Sequence, residues 1–369
     1  MAAIQKSDEH TTAHAIVKWH EAEEAKNPPR PYLGGSIIGG PCDRALWYGF
    51  RQVGIKKFDG RMLRLFNRGH REEAQLYKEL RGIGVEVYEV DPDTGEQFEV
   101  SAYGGHFSGH TDGLALGLPE APKSYALLEC KTYNIKSFAE LKKLGMRKAK
   151  PTHFSQMTVY MGLQKLTRGL YFAACKDTDE IHTEWVHFDQ AEFDRMMERA
   201  ERIIFAKEPP DKIGDASHWQ CKQCDFYALC HERAAPRKNC RTCVFATPVN
   251  APSTIDKGQG QWVCEYEGKN EIPFDVQLQG CDEHLFIPPL ISYAKPIDGG
   301  DKWVLYQHND KDHSFINACT SAKNDPGLPE LVTSVYTSEE LAALDASMVG
   351  DPLVEEMKKE LDAEVEPAC

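Results

Sequence analysis

The sequence holds no apolar run long enough to cross a bilayer, so no membrane-spanning helix is expected. Its opening residues, MAAIQKSDEH, lack the basic-then-apolar pattern of a secretory signal, and the expected location is the cytoplasm. Positive charge is also short. With 43 Lys and Arg against 57 Asp and Glu, the formal net charge is −14. That argues against a broadly basic surface that coats nucleic acid, while leaving room for a local basic groove. Internal repeats and low-complexity tracts are missing, so neither organises the chain. What is present is ordinary for a globular protein: 369 residues, 41% hydrophobic and 27% charged, enough for a sizeable core and two or more domains.

Cysteine is plentiful, with 12 in the chain. In a cytosolic protein that number points to metal rather than disulfides. Cys221, Cys224 and Cys230 form one group and Cys240 and Cys243 another, followed by Cys264 and Cys281; Cys42, Cys130, Cys175, Cys319 and Cys369 are isolated. Cys240-x2-Cys243 with Cys264 and Cys281 has the pattern of a tetrahedral zinc ribbon, with His284 as a rival to Cys281 for the fourth place. The segment around this set has little apolar sequence and needs a staple to fold. Cys175 and Cys130 read as core residues.

In chain order, a short helix is expected around 14–25, stopped by Asn27-Pro28-Pro29. A second starts near Cys42 with Trp47 and Tyr48 turned inward. A third spans 62–80, is broken by Gly82, and places His70 and Glu73 one turn apart on one face. Residues 85–90 and 97–103 flank DPDTGE and read as a hairpin. After two central strands come helices at 135–144 and 153–166, strands GLYFAACK and HTEWVHF, and an amphipathic helix over 189–206. This succession indicates a mixed α/β domain around a central sheet. Further on, KWVLYQHNDKDHSFINA reads as another hairpin, and the chain closes with an acidic, partly helical tail.

The central stretch runs from His106 to Lys131: HFSGHTDGLALG, a Pro-containing turn, then YALLECKT. A strand period of two puts Leu127, Glu129 and Lys131 on one face and Leu128 and Cys130 on the other. If the two strands pair, Asp112 lies beside Glu129. Two carboxylates and one lysine in an otherwise apolar strand are costly to desolvate, and a hard divalent cation is the natural compensation.

Thr111-Asp112, Glu129-Cys130-Lys131 and Gln156-Met157-Thr158-Val159-Tyr160 together resemble the PD-(D/E)XK nucleases, in particular the RecB-like branch with its added Gln-x-x-x-Tyr helix. The resemblance implies that Asp112, Glu129 and the Cys130 carbonyl hold Mg²⁺ or Mn²⁺ and that His70 completes the metal shell. It implies further that Lys131 orients or activates the attacking water, and that Gln156 and Tyr160 line the site. Thr111 stands where the family has proline, a position that sets only the bend of the strand. CDRALWY together with C-x2-C-x5-C is similar to the iron–sulfur staple of AddB and the CRISPR-adaptation nucleases. That implies a [4Fe–4S] cluster on Cys42, Cys221, Cys224 and Cys230, although thiolates at this spacing suit zinc as well.

The expected organisation is therefore a PD-(D/E)XK nuclease core at 1–235, a zinc-ribbon-like module at 236–295, and a β-hairpin with acidic tail at 296–369. The expected function is a metal-dependent deoxyribonuclease. An exonuclease acting on DNA ends in recombination or repair fits best; the partners such a role calls for are DNA and a recombinase, annealing protein or helicase, and the compact design fits a phage origin. The rival readings are a non-catalytic DNA-binding protein on the same fold, and a redox sensor in which the cluster sets DNA affinity.

Overall fold

The structure, a computed structural model, describes residues 11–329, 332 and 334–361, without the side chains of 358–361. The N-terminal decapeptide, Cys369 and the end of the acidic tail lie outside the described residues. Among the described residues no helix is long and apolar enough to cross a membrane.

Helix α1 (Thr12–Glu24) starts at Thr11, whose hydroxyl accepts from His14 N, and precedes the short strand β1 (Leu33–Gly34). Helix α2 (Asp43–Phe50) has Cys42 as its N-cap and buries Leu46, Trp47, Tyr48 and Phe50. Helix α3 (Gly60–Gly82) is capped by the Asp59 carboxylate and turns Leu76, Tyr77 and Leu80 inward. Strands β2 (Glu86–Tyr88) and β3 (Glu99–Ala102) follow, then β4 (Phe107–His110), β5 (Leu114–Leu116) and β6 (Ala126–Tyr133). Next come α4 (Ile135–Leu144), α5 (Met146–Ala149) and α6 (Pro151–Leu163), which begins at a proline that has no N–H to lose there. Strands β7 (Arg168–Cys175) and β8 (Ile181–His187) and helix α7 (Gln190–Phe205) close this part.

The architecture is mixed α/β. A five-stranded sheet has the order β2-β5-β6-β7-β8, with β6 and β7 parallel and the other pairs antiparallel. One face, through Leu128 and Leu170, packs on α3; the other, through Leu127, joins a larger core with Phe138, Leu141 and Met157 from α4 and α6. Each such side chain contributes about 1.5–3 kcal/mol by leaving water. A smaller sheet, β1-β4-β3, lies beside it.

Two strand expectations are corrected. Residues 85–103 do not form a hairpin. Asp91 and Glu96 close a local turn, but β2 pairs with β5 and β3 with β4, in different sheets. Likewise HFSGHTDGLALG is two strands rather than one. The break is at Gly113, with φ of 136°, where a Cβ would come within 2.7 Å of the Tyr88 carbonyl oxygen.

Beyond α7, helices α8 (Trp219–Lys222) and α9 (Tyr227–His231) carry the first cysteine group. Strands β9 (Ala246–Pro252), β10 (Gly260–Cys264) and β11 (Asn270–Glu271) form an antiparallel sheet, followed by α10 (Phe274–Gln277). The last sheet runs β12 (Ala294–Gly300), β13 (Trp303–His308), β14 (Ser314–Ala318) and β15 (Val335–Tyr336). The expected hairpin is its β13–β14 pair. Helices α11 (Ser338–Ala343) and α12 (Pro352–Leu361) follow. One apolar core runs without interruption from α2 to these last sheets, with the Phe50 and Trp262 rings 5.5 Å apart.

Candidate active site

β6 sets the site by alternation. Leu128 lies in the core under α3 and the Cys130 thiol packs against it, whereas Glu129 and Lys131 face α6. The chain leaving β4 brings Asp112 alongside: Cys130 N donates to Asp112 Oδ2 at 2.8 Å and Leu128 N to the Gly113 carbonyl at 2.9 Å. The Lys131 ammonium donates to Glu129 and to the Cys130 carbonyl (3.1 Å), and stands 3.9 Å from Asp112 Oδ2. One cation therefore touches the three groups expected to bind a metal. Glu129 is fully buried, while the Lys131 and Asp112 side chains keep 29% and 22% of their surface open to an incoming group.

The helices complete the arrangement. Gln156 Nε2 donates to both Glu129 oxygens at 2.8 Å, which fixes the carboxylate. Tyr160, one turn on, is buried, with its ring against Gly35 and its hydroxyl against Gly109, within electrostatic reach of Glu129, Asp112 and Lys131. From the other side α3 supplies Glu73. The single Tyr77 hydroxyl proton is shared between the Asp112 carbonyl and Glu73, and the Asp112 charge acts on Glu73. His70 stands exposed one turn earlier, within electrostatic reach of Glu73.

Glu73 as a third carboxylate was not singled out by the sequence reading beyond its shared face with His70. Also missed was a network beside Glu129. Tyr171, its register partner on β7, bonds His153 Nδ1 at 2.7 Å and the Tyr133 hydroxyl. The spacing of Glu73 to Tyr77 was a usable signal; the His153 network has none in one sequence.

Burial pushes the Glu129 carboxyl up to about 7, with Lys131 opposing and Asp112 adding to it. Glu73 is raised by burial and then by Asp112. For Lys131, burial works against the charge, but Glu129 and Asp112 outweigh it and the pKa rises. Burial lowers His153 to about 4, with Lys131 and Lys150 adding to the effect, so its ring is neutral at pH 7. The cation that Glu129 and Asp112 meet is the Lys131 ammonium.

Within each cysteine set the side chains come near one another, without closing into a metal site among the described residues. Cys42, Cys221, Cys224 and Cys230, far apart in sequence, line one cavity of about 340 Å³ with Arg44 and Tyr227. In the second set Cys240 lies within electrostatic reach of Cys264 and Cys281, and Cys243 of Cys240 and Cys281. Leu285 N points at Cys243 Sγ at 3.5 Å, while burial pushes the Cys240 and Cys243 thiols up to about 12. Of His284, Nε2 bonds the Asn239 carbonyl and the Thr242 hydroxyl, while the buried Nδ1 has no hydrogen-bond partner. Cys175 is buried in the core, and the Cys130 side chain is no ligand because it points into apolar packing. Among the described residues no three His, Cys, Asp or Glu side chains stand close enough together to hold a metal as they are.

The fold is mixed α/β, and it brings Asp112 and Glu129 together around the Lys131 ammonium. No family model matches the chain, and no curated protein matches it. Solved structures are similar to it at a distance. The structure of SSO0001 matches at 17% identity and a TM-score of 0.38, over 60% of this chain and 97% of that one. LHK-Exo, an alkaline exonuclease from Laribacter hongkongensis, matches at 17% identity and a TM-score of 0.35, over 50% and 89%. A phage-related exonuclease from Haemophilus somnus matches at 15% identity and a TM-score of 0.32, over 47% and 91%. The functional reading is carried by the site itself.

Proposed function

We propose that this chain is a divalent-metal-dependent deoxyribonuclease that acts as an exonuclease on DNA ends. The observation that carries the reading is the meeting of Asp112, Glu129 and the Cys130 carbonyl around one cation, the Lys131 ammonium. A group that already cradles a cation suits Mg²⁺ or Mn²⁺, with Glu73 as a further carboxylate and His70 at the margin. Bound there, such an ion supplies a water acidic enough to attack phosphorus near neutral pH, and charge against the phosphate oxygens.

The chain's own residues do the rest. Gln156 keeps Glu129 in one orientation, and the amide of Cys130 does the same for Asp112. Lys131, partly exposed, offers its ammonium to a phosphate oxygen where negative charge develops. Just after β6, α4 and α5 carry Lys136, Lys142, Lys143, Arg147 and Lys148 on the surface. Lys142 pairs with Glu180 and Arg147 with Asp189. Lys136, Lys143 and Lys148 make no ion pair among the described residues, which leaves a local basic surface for a DNA backbone on an acidic protein.

The first cysteine set is assigned to a [4Fe–4S] cluster and the second to Zn²⁺. The cavity shared by Cys42 and the group at 221–230 fits a staple that closes a long loop, a role that needs no redox change. Digestion of end-labelled linear and circular DNA, single-stranded and duplex, with Mn²⁺ tests the activity. Release of label from linear substrate alone is expected. Nicked circles would make the enzyme an endonuclease, and inert substrates would remove the nuclease assignment.

A further inference from the structure

β6 and α6 meet along one face. On the strand, alternation brings Glu129, Lys131 and Tyr133 onto it; on the helix, His153 and Gln156 stand one turn apart on a shared side. Two of the strand side chains are tied to the helix, Glu129 to Gln156 and Tyr133 to His153 Nδ1 at 3.1 Å. Lys131 lies between those ties. Its side chain is 29% exposed and within electrostatic reach of the His153 ring.

Three polar atoms close a triangle here. The Tyr171 hydroxyl is 2.7 Å from His153 Nδ1 and bonded to the Tyr133 hydroxyl, which itself reaches Nδ1. Tyr171 is buried, and neither hydroxyl has another hydrogen-bond partner among the described residues. The two hydroxyl protons fill the triangle when Nδ1 accepts. A proton on Nδ1 would add a third, with no acceptor left for it. The neutral ring therefore carries its hydrogen on Nε2. That nitrogen makes no hydrogen bond among the described residues, and the side chain is only half-buried. A donor of fixed orientation is left open, one helical turn from the residue that holds Glu129.

We propose that His153, through Nε2–H, is a second donor to the phosphate that Lys131 meets, and that Tyr171 and Tyr133 are the positioning residues that hold this tautomer. The inference rests on the nuclease reading and adds to it a side chain that touches the substrate. A neutral donor suits the place. An imidazolium would crowd the Lys131 and Lys150 ammonium groups, which disfavour a charge on the ring. The uncharged N–H can meet a phosphate oxygen without competing with a metal ion for Asp112 and Glu129.

Hydrolysis of end-labelled linear DNA with Mn²⁺ tests this on full-length wild type, His153→Phe, His153→Gln and Tyr171→Phe. Phenylalanine keeps a ring without nitrogen, and glutamine carries an amide N–H close to where Nε2–H stands. kcat should fall at least about tenfold in His153→Phe, with Lys131 still in place, and His153→Gln should recover part of the loss. Tyr171→Phe keeps Nε2 but frees the tautomer, and should lose less. Wild-type kcat in His153→Phe overturns the proposal. A wild type that cleaves nothing would instead remove the nuclease reading, and the inference with it. A second measurement needs no substitution. The ¹⁵N spectrum of the His153 ring in the wild type should show the Nε2–H form at pH 7. That signal should shift when a short oligothymidylate is added with Ca²⁺ in place of Mn²⁺. A ring protonated on Nδ1, or an Nε2–H signal that DNA leaves unmoved, contradicts the assignment.

Discussion

The Lys131 ammonium is hydrogen-bonded to the Glu129 carboxylate two residues back on the same face of β6. The lysine neutralises a buried acid and at the same time occupies the place of a cation. Binding of a divalent ion must therefore displace it towards solvent, where the side chain is already 29% exposed and a phosphate can meet it.

That relationship sets a pH dependence. Glu129 is raised by burial to about 7, and Glu73 is raised as well. A carboxyl raised in the fold keeps a proton that the unfolded chain has released. Its stabilising effect is complete below the ordinary carboxylate range and is lost as pH rises through about 7. Without added metal, the melting temperature should fall between about pH 5 and about pH 8 on account of these groups. With Mn²⁺ the stabilisation should instead grow with pH, because the ion needs both carboxylates ionised. Melting curves across that range check it; a Mn²⁺ increment independent of pH would contradict it.

Glu73 should prove a site residue. Glu73→Gln keeps a partner for the Tyr77 hydroxyl and removes only the charge. Mn²⁺ affinity measured by calorimetry should drop by about 10- to 100-fold with little change in melting temperature, and His70→Ala should cost less. An unchanged affinity in Glu73→Gln would take that carboxylate out of the metal shell.

The first cysteine set predicts colour. Protein purified anaerobically should be brown and contain iron, and Cys221→Ser should lose colour and solubility together. A colourless, well-folded wild type with stoichiometric zinc at both sets would refute the cluster.

Much of this was legible in the chain. Leu128, Glu129, Cys130 and Lys131 alternate apolar and polar, so the two faces of β6 follow from the strand period. The caps and stops of α1, α3 and α4 are written locally: Thr11, Asp59 and Asn134 each accept from an amide in the first turn. What stayed hidden depends on partners distant in sequence. DPDTGE makes a turn whether or not its flanks pair, so the separate fates of β2 and β3 could not be read from it. Gly113 looks like any turn glycine until its positive φ splits β4 from β5. Glu73 reaches Asp112 only because α3 packs across Leu128, and the bond between Tyr171 and His153 joins residues that nothing in the local pattern connects.

On the proposed function, Asp112 and Glu129 hold the ion on which hydrolysis depends. Mn²⁺-dependent hydrolysis of end-labelled linear DNA, measured side by side for wild type and Asp112→Ala, tests it most directly. The rate should fall by at least about 100-fold in the variant while the protein remains folded. Equal rates in the two proteins would contradict the account.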